Sequence, residues 1–557
     1  MVKADADPAS ASSRSVASNS RVMATGTLLS RITGLARDFA LAAAIGSAVF
    51  SDLFALGNAL PNIVYILVVG GALNAVFIPQ LVRHMREDSD GGDDFADRLV
   101  TATLLILFVV TVLAVVCAPW IVRIYATSNY SDVQFQVAVA FAWLCLPQIL
   151  FYGAFTMFSQ VLNSRLHFAA PAFAPIVNNI VMVGTAGVFI WLTSSASLSG
   201  DSVVTGAPVV VLGVGATLGV ALQAIVLIPH LRSAGYRWRP RWGFRGYGLG
   251  HAGRLAVWTI GLVVVNQIGF LIVVRLATSA NVLPGAEGGL ALYQRALLVF
   301  MLPQSLVTIS IVTAIFPRMS HNVGIGRLHD VASQMNTGIR VVTSLIALCA
   351  AFLVAFGPPM GLVFFNWYRN TPEAAIYTGQ AISVFALGLI PISLFYLFLR
   401  GWYAFENTKV PFILTVIYNC IAMPLTFGLY LLAPDDLKVL ALALAYVAAY
   451  WLILPVVWIG LRRRLPGLGG RTEIVGIVVS ILLAAAATSA GFLAALGAAY
   501  LRTGQLSPTA DKLTATLALA VGGVVTVCAY LIVLRLARPD DFSQVTRPVI
   551  ARSRRTN

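Results

Sequence analysis

The sequence predicts an all-α polytopic membrane protein of 14 transmembrane helices, arranged as two six-helix lobes in a pseudo-twofold repeat plus two C-terminal helices. Three observations carry that prediction. The 557 residues are 59% hydrophobic and only 11% charged, whereas soluble domains carry about 25% charged residues. Apolar runs long enough to cross a bilayer, about 20 residues each, recur along the whole chain. Arginines gather in alternate connections between those runs, as membrane orientation requires.

In order, the runs cover 23–49, 53–82, 99–122, 134–162, 169–193, 204–230, 255–279, 290–317, 335–364, 374–400, 410–433, 437–461, 473–500 and 513–536. Residues 1–20 are polar and lack the basic start and short apolar core of a secretory signal, so the first run reads as an uncleaved span. An even number of spans puts both termini on one side. The termini and alternate loops of that side hold 27 Lys and Arg, the opposite loops hold 5, and Arg31, Arg37, Arg275, Arg295 and Arg340 lie within or at the ends of spans. Both termini are therefore expected in the cytoplasm. Topology also accounts for the net charge of +15, so no nucleic-acid partner is expected. The five cysteines stand singly in apolar runs, without metal spacing, and read as small buried hydrophobes.

Two echoes suggest a repeated unit. Leu60-Pro61-Asn62 and Ala75-Val76-Phe77-Ile78-Pro79 in the second run resemble Leu302-Pro303-Gln304 and Ala314-Ile315-Phe316-Pro317 in the eighth. The connection Asn163 to Phe168 before Pro171 resembles Phe405 to Val410 before Pro411. Both lie six spans apart, which implies two halves of one orientation related by an axis along the membrane normal. The expected organisation is a cytoplasmic tail (1–21), an N-lobe (22–232), a basic cytoplasmic linker (233–254), a C-lobe (255–464), a final helix pair (465–537) and a basic cytoplasmic tail (538–557). Prolines and glycines inside the runs free backbone groups that need neighbours or a water-lined cavity, so bent helices around a cavity are expected.

The first run carries Ser30-Arg31-Ile32-Thr33-Gly34-Leu35-Ala36-Arg37-Asp38. A charge in mid-membrane costs roughly 2.5–3.5 kcal/mol on insertion scales and normally faces a polar path or a partner. Asp38 offsets one arginine at most, Asp52 opens the second run, and Arg295 stands inside the eighth run with no acidic residue within a helical turn. Arg275 and Arg340, near span ends, read as snorkelling side chains. A cavity lined by Arg31, Arg37 and Arg295 suits an anion, above all phosphate oxygens, which a guanidinium grips in pairs. Asn62, Asn74, Gln80, Asn178, Asn179, Asn266, Gln267 and Gln304 add neutral hydrogen-bonding groups, each also explicable as a contact between helices. No GxxxxGK[ST] occurs, which excludes a self-contained ATPase. No HExxH or Cys-rich metal spacing is present, and the acidic stretch Glu87 to Asp94 reads as a solvated loop.

These residues resemble a known family. Ser30 to Asp38, Asp52, Leu60-Pro61-Asn62, Asn74 to Pro79 and Pro171-Ala172-Phe173-Ala174-Pro175 with Asn178-Asn179 are similar to the MurJ (MviN) lipid II flippases. That family shares a superfamily with the drug-exporting MATE transporters and the polysaccharide flippases. The resemblance implies a cationic central cavity between two lobes and a last helix pair forming a groove for a lipid tail. The implied substrate is undecaprenyl-pyrophosphoryl-MurNAc-pentapeptide-GlcNAc, lipid II, moved from the cytoplasmic to the outer leaflet of a bacterial cytoplasmic membrane by alternating access.

By that pattern Arg31 and Arg37 are the pyrophosphate-binding arginines of helix 1, with Arg295 from the other lobe, Asp38 and Asp52 as charge partners, and Ser30, Asn62, Asn74, Asn178 and Asn179 as polar lining. The chain departs from the family where an arginine and an acidic residue often stand, having Tyr65 and Gly70, and Arg295 precedes Pro303 by eight residues. No cofactor is expected; membrane potential or a monovalent ion is the expected coupling, and membrane lipids and cell-wall synthesis and division proteins are the expected partners. Rival readings are an exporter of drugs or another lipid-linked glycan on the same fold, a membrane-embedded glycosyltransferase or phosphatase, and a scaffold. An acidic cavity would favour cationic drugs, and a transferase needs clustered carboxylates or a Ser/His pair at one membrane face; the sequence offers neither.

Overall fold

The computed structural model describes residues 8–70, 92–194, 203–243, 250–283, 288–539 and 541–543, whose regular structure is helical, with no strand among them. The chain divides into two units, Met1–Gln267 and Ile268–Asn557. Unit 1 holds α1 (Pro8–Ile45), α2 (Val49–Tyr65), α3 (Asp93–Val116), α4 (Ala118–Tyr125), α5 (Asp132–Cys145), α6 (Gln148–Ser164), α7 (Ala169–Leu192), α8 (Ala207–Ile225) and α9 (Leu227–Ser233). The boundary falls inside α10 (Gly250–Ala280), not in the basic linker where composition puts it. Unit 2 continues with α11 (Leu290–Pro303), α12 (Ile309–Gly324), α13 (Leu328–Phe365), α14 (Pro372–Ala386), α15 (Leu389–Ala404), α16 (Lys409–Leu432), α17 (Lys438–Arg462), α18 (Arg471–Thr503) and α19 (Lys512–Ala537).

Among the described residues, 12 helices are long and apolar enough to cross a membrane, or 13 if the bent pair α14 and α15 is one span. The chain is thus a multi-pass membrane protein. The first expected span, in α1, lies outside that set; it carries Arg31, Arg37 and Asp38 and is Ser-rich in its first half. Fourteen is therefore one more than length and apolarity support by themselves. The first two helices also meet earlier than expected. Gly46 takes a left-handed φ of 77°, a conformation that costs glycine little, so α1 stops at Ile45 and α2 opens at Val49 rather than near 53.

In unit 1, α1 packs on α7, α7 on α8, α2 on α5 and α6, and α3 on α6. Phe50 and Phe54 close on Phe141 with ring centroids 5.6 and 5.4 Å apart. Lipid tails are as apolar as leucine, so such contacts stabilise by dispersion and close packing rather than by excluding water. Unit 2 repeats the scheme, with α11 on α14, α13 on α15 and α16 on α17.

The sequence echoes are structural where they are described; Ala75 to Pro79 lies outside the described residues. The α6–α7 and α15–α16 connections have the same backbone: Leu166 and Glu406 take φ of 64° and 55°. The His167 amide donates to the Leu162 carbonyl at 2.9 Å, and the Asn407 amide to the Trp402 carbonyl at 3.2 Å. Pro61 and Pro303 each precede a widened π-type turn, Ile66–Gly70 and Gln304–Thr308. A proline lacks the N–H that the regular ladder needs, and a shift to longer-range bonding accommodates the loss. In unit 2 the extra helices α18 and α19 pack on each other and on α13.

Candidate functional site

The charged stretch of α1 is held by one residue of α7. The Asn179 side chain, buried in the α1–α7 contact, donates through Nδ2 to the Ser30 carbonyl at 3.2 Å and to Thr33 Oγ1 at 2.9 Å. Its Oδ1 accepts from Arg37 Nη1 at 3.3 Å. Thr33 Oγ1 in turn donates to the Leu29 carbonyl at 2.9 Å. Arg37 pairs with its neighbour Asp38, Nη2 to Oδ1, at 3.1 Å. Both partners are partly exposed, so the pair contributes geometry more than stability. Arg31 is exposed and makes no hydrogen bond or ion pair among the described residues. Gly34 faces α7 at this contact, where a Cβ would stand in ordinary van der Waals contact, 3.7 Å from Asn179 Nδ2.

A second polar track joins α2 to α6. Gln148 Nε2 donates to Asn58 Oδ1 at 3.2 Å, and the Tyr152 hydroxyl donates to Gln148 Oε1 at 3.1 Å. The Tyr65 hydroxyl donates to Thr156 Oγ1 at 2.7 Å, with the Tyr65 and Tyr152 rings 5.8 Å apart. Where the family often carries an arginine, this chain has a neutral hydroxyl tied to its neighbour. Gln267 Nε2 donates to the Ile63 carbonyl at 3.2 Å. Asn58, Gln148, Tyr152 and Thr156 were not singled out from the sequence. Their signal is weak, because isolated polar residues in apolar helices are common.

The remaining predicted residues are dispersed. Asn62 is exposed on α2. Asn178 packs between helices, its Oδ1 lying where a Cβ on Gly219 of α8 would be. Asp52 is completely buried in the first turn of α2 rather than facing an opening. Arg295, on α11 of unit 2, has its Nη1 buried. Arg340 on α13 is partly exposed, and its Nε is buried without a hydrogen-bond partner among the described residues. Asn74, Gln80 and residues 87–91 lie outside the described residues.

At the arginine-rich end of unit 1, the described parts of the expected acidic loop and basic linker meet in one clasp. Asp93 and Asp94 open α3 and pair with Arg165 and with Arg98 and Arg241. Asp97, 4% exposed, accepts from the Tyr236 hydroxyl at 2.8 Å and the Arg239 amide at 3.1 Å. Burial, together with the Asp97 carboxylate it donates to, pushes the Tyr236 hydroxyl far above the usual tyrosine range. Unit 2 has a neutral version of the clasp. Asn336 of α13 donates to the Gly467 carbonyl and accepts from the Gly469 amide, both at 2.8 Å.

A cavity of about 610 Å³ is lined by Ala347 and Val354 of α13, Leu387 beside α14, Trp451 of α17 and Ala485 and Phe492 of α18. Helix α19 takes no part in it. Among the described residues no group of three His, Cys, Asp or Glu is placed to hold a metal ion.

The repeated helical units share their fold with solved MATE-family transporters. An inward-facing multidrug resistance MATE family transporter superimposes with a TM-score of 0.63 at 14% identity, covering 78% of this chain and 94% of that one. A lipid II flippase MurJ in an inward closed conformation superimposes with a TM-score of 0.69 at 18% identity, covering 92% and 98%. The chain belongs to the lipid II flippase MurJ family, whose sequence profile matches residues 41–510. The lipid II flippase MurJ of Burkholderia cenocepacia is 27% identical over 412 residues, 72% of this chain and 77% of that protein. The probable lipid II flippase MurJ of Haemophilus influenzae is 28% identical over 426 residues, covering 72% and 80%.

Proposed function

We propose that the protein is a transporter, not an enzyme, that moves lipid II from the inner to the outer leaflet of the bacterial cytoplasmic membrane for peptidoglycan synthesis. The observation that carries this reading is the α1 constellation in a chain of this family: Arg31 open to a ligand, and Arg37 set in place by Asp38 and Asn179. Guanidiniums in a low-dielectric setting bind pyrophosphate oxygens with charge-assisted, paired hydrogen bonds. Arg295 supplies a further cation from unit 2. The hydroxyls and amides of the α2–α6 track offer neutral partners for sugar or peptide groups, and the apolar cavity against α18 offers room for part of a prenyl chain.

Both termini are cytoplasmic in this reading, supported by the 27-to-5 distribution of basic residues. The two units exchange access to the site between leaflets. An inside-negative potential assists outward movement of an anion by about 2.3 kcal/mol per charge per 100 mV. Replacing Arg31 or Arg37 by Ala abolishes the appearance of lipid II in the outer leaflet, while the variant still inserts in the membrane. Ordinary lipid II sidedness in cells that depend on either variant would overturn the assignment.

A further inference from the structure

The clasp at the arginine-rich end of unit 1 forms one wall of a cavity separate from the α1 site. It encloses about 560 Å³ and is lined by Phe158, Ile228, Leu231, Arg232, Tyr236, Arg237 and Trp238, a size within the range of about 300–1,000 Å³ common for small-ligand pockets. The lining is amphipathic. Phe158 comes from α6, and Ile228 and Leu231 from the short helix α9, giving an apolar floor. Arg232 and Arg237 supply a cationic rim. The aromatic wall is fixed: Tyr236 is 1% exposed and bonded to Asp97, and Trp238 Nε1 donates to Thr101 Oγ1 at 3.1 Å.

Charge balance decides what such a pocket takes. Among the described residues, the carboxylates of the clasp are already engaged, Asp93 by Arg165, Asp94 by Arg98 and Arg241, and Asp97 by Tyr236 and the Arg239 amide. Arg232 and Arg237 make no hydrogen bond or ion pair among the described residues. Two exposed guanidiniums above an apolar floor, beside a Trp and a Tyr of the kind enriched at membrane interfaces, match a phosphate headgroup with the start of its acyl chain. Basic pockets between helices on the cytoplasmic side recognise anionic headgroups by this chemistry.

We propose that this cavity is a binding site for an anionic phospholipid, seated with its phosphate between Arg232 and Arg237 and its first methylenes against Phe158 and Leu231. The leaflet, cytoplasmic, rests on the orientation proposed above; the binding does not. The test uses the full-length protein in bilayers of phosphatidylglycerol and phosphatidylcholine, with retained lipid read by native mass spectrometry. The wild type keeps phosphatidylglycerol in preference to phosphatidylcholine. The double variant R232Q/R237Q holds it roughly 30-fold less tightly, equivalent to about 1 kcal/mol per arginine, with an unchanged melting temperature. R232K/R237K keeps the charges and most of the retention.

Full retention by R232Q/R237Q overturns the proposal. So does an equal loss in Arg31→Gln, which would put the lipid at α1. Binding of inorganic pyrophosphate in phosphatidylcholine-only bilayers that R232Q/R237Q abolishes, with phosphatidylglycerol retention untouched, would make the site one for soluble phosphate and overturn the lipid assignment. None of these outcomes bears on the lipid II sidedness of the Arg31 and Arg37 variants, so the two proposals fail separately.

Discussion

The two units share a backbone scheme and differ in what it carries. In each, an asparagine stands eight residues after a helix-opening proline, Asn179 after Pro171 and Asn419 after Pro411, and faces a glycine of the unit's first helix, Gly34 or Gly269. Asn179 spends its amide on α1 and on Arg37. Asn419 donates back to the Thr415 carbonyl of its own helix at 2.9 Å, with its Oδ1 against Gly269. Three residues to either side of Gly34 stand Arg31 and Arg37; at the same distances from Gly269 stand Asn266 and Ile272. The clasps differ in the same sense, charged at Asp97 and neutral at Asn336. Duplication thus preserved helix geometry, which packing and backbone hydrogen bonds enforce, while a few side chains made one copy cationic.

The largest test of that asymmetry compares N179A with N419A. Removing Asn179 frees Arg37 and leaves buried polar groups of α1 unmatched, which costs about 1–3 kcal/mol; lipid II translocation is expected to fall by roughly tenfold or more. N419A loses a bond within its own helix and is expected to change transport by less than about threefold. Equal damage from both would show that the units share the work evenly.

A smaller effect separates the clasps. D97A removes a charged acceptor of two hydrogen bonds, worth about 1.5–3 kcal/mol, whereas N336A removes neutral ones worth about 1 kcal/mol. Hydrogen exchange at residues 236–243 and at Gly469 measures both. Added salt should loosen only the charged clasp, whose Arg241 partner is exposed.

The smallest effect concerns the helix pair found only in unit 2. Asp511 caps α19, and its carboxyl is held down to about 2, first by the Thr514 amide and then by Arg502. A depressed carboxylate stabilises above its unfolded value near 4 and loses that contribution as pH falls towards about 2. Exchange protection of the Thr514 amide should decline across that window, and D511N should abolish the dependence while leaving transport unchanged.

Much of the fold was legible because a membrane makes sequence signals coarse and strong. Apolar runs, alternating arginines and proline-centred echoes survive without tertiary context, and the same echoes point to Asn179 through its counterpart Asn419. The charged stretch Ser30 to Asp38 was equally plain, since charge in an apolar run has few explanations. What the sequence left open is which neighbour each polar group meets. Adjacent asparagines on α7 point to different helices, 178 to Gly219 and 179 to Arg37, because successive residues on a helix are turned about 100° apart. Their identities alone do not reveal that.

The sequence by itself determined that this chain is a duplicated helical membrane protein with cations on its first helix. Hydropathy, charge and proline act locally or through the bilayer, so they can be read along the chain. Only the tertiary structure decided that Asp93 to Asp97 and Tyr236 to Arg241 form one clasp, that Tyr65 is tied to Thr156, and that α13, α17 and α18 line one apolar cavity. Those outcomes depend on contacts between residues up to 147 positions apart, where close packing, not local preference, selects the partner.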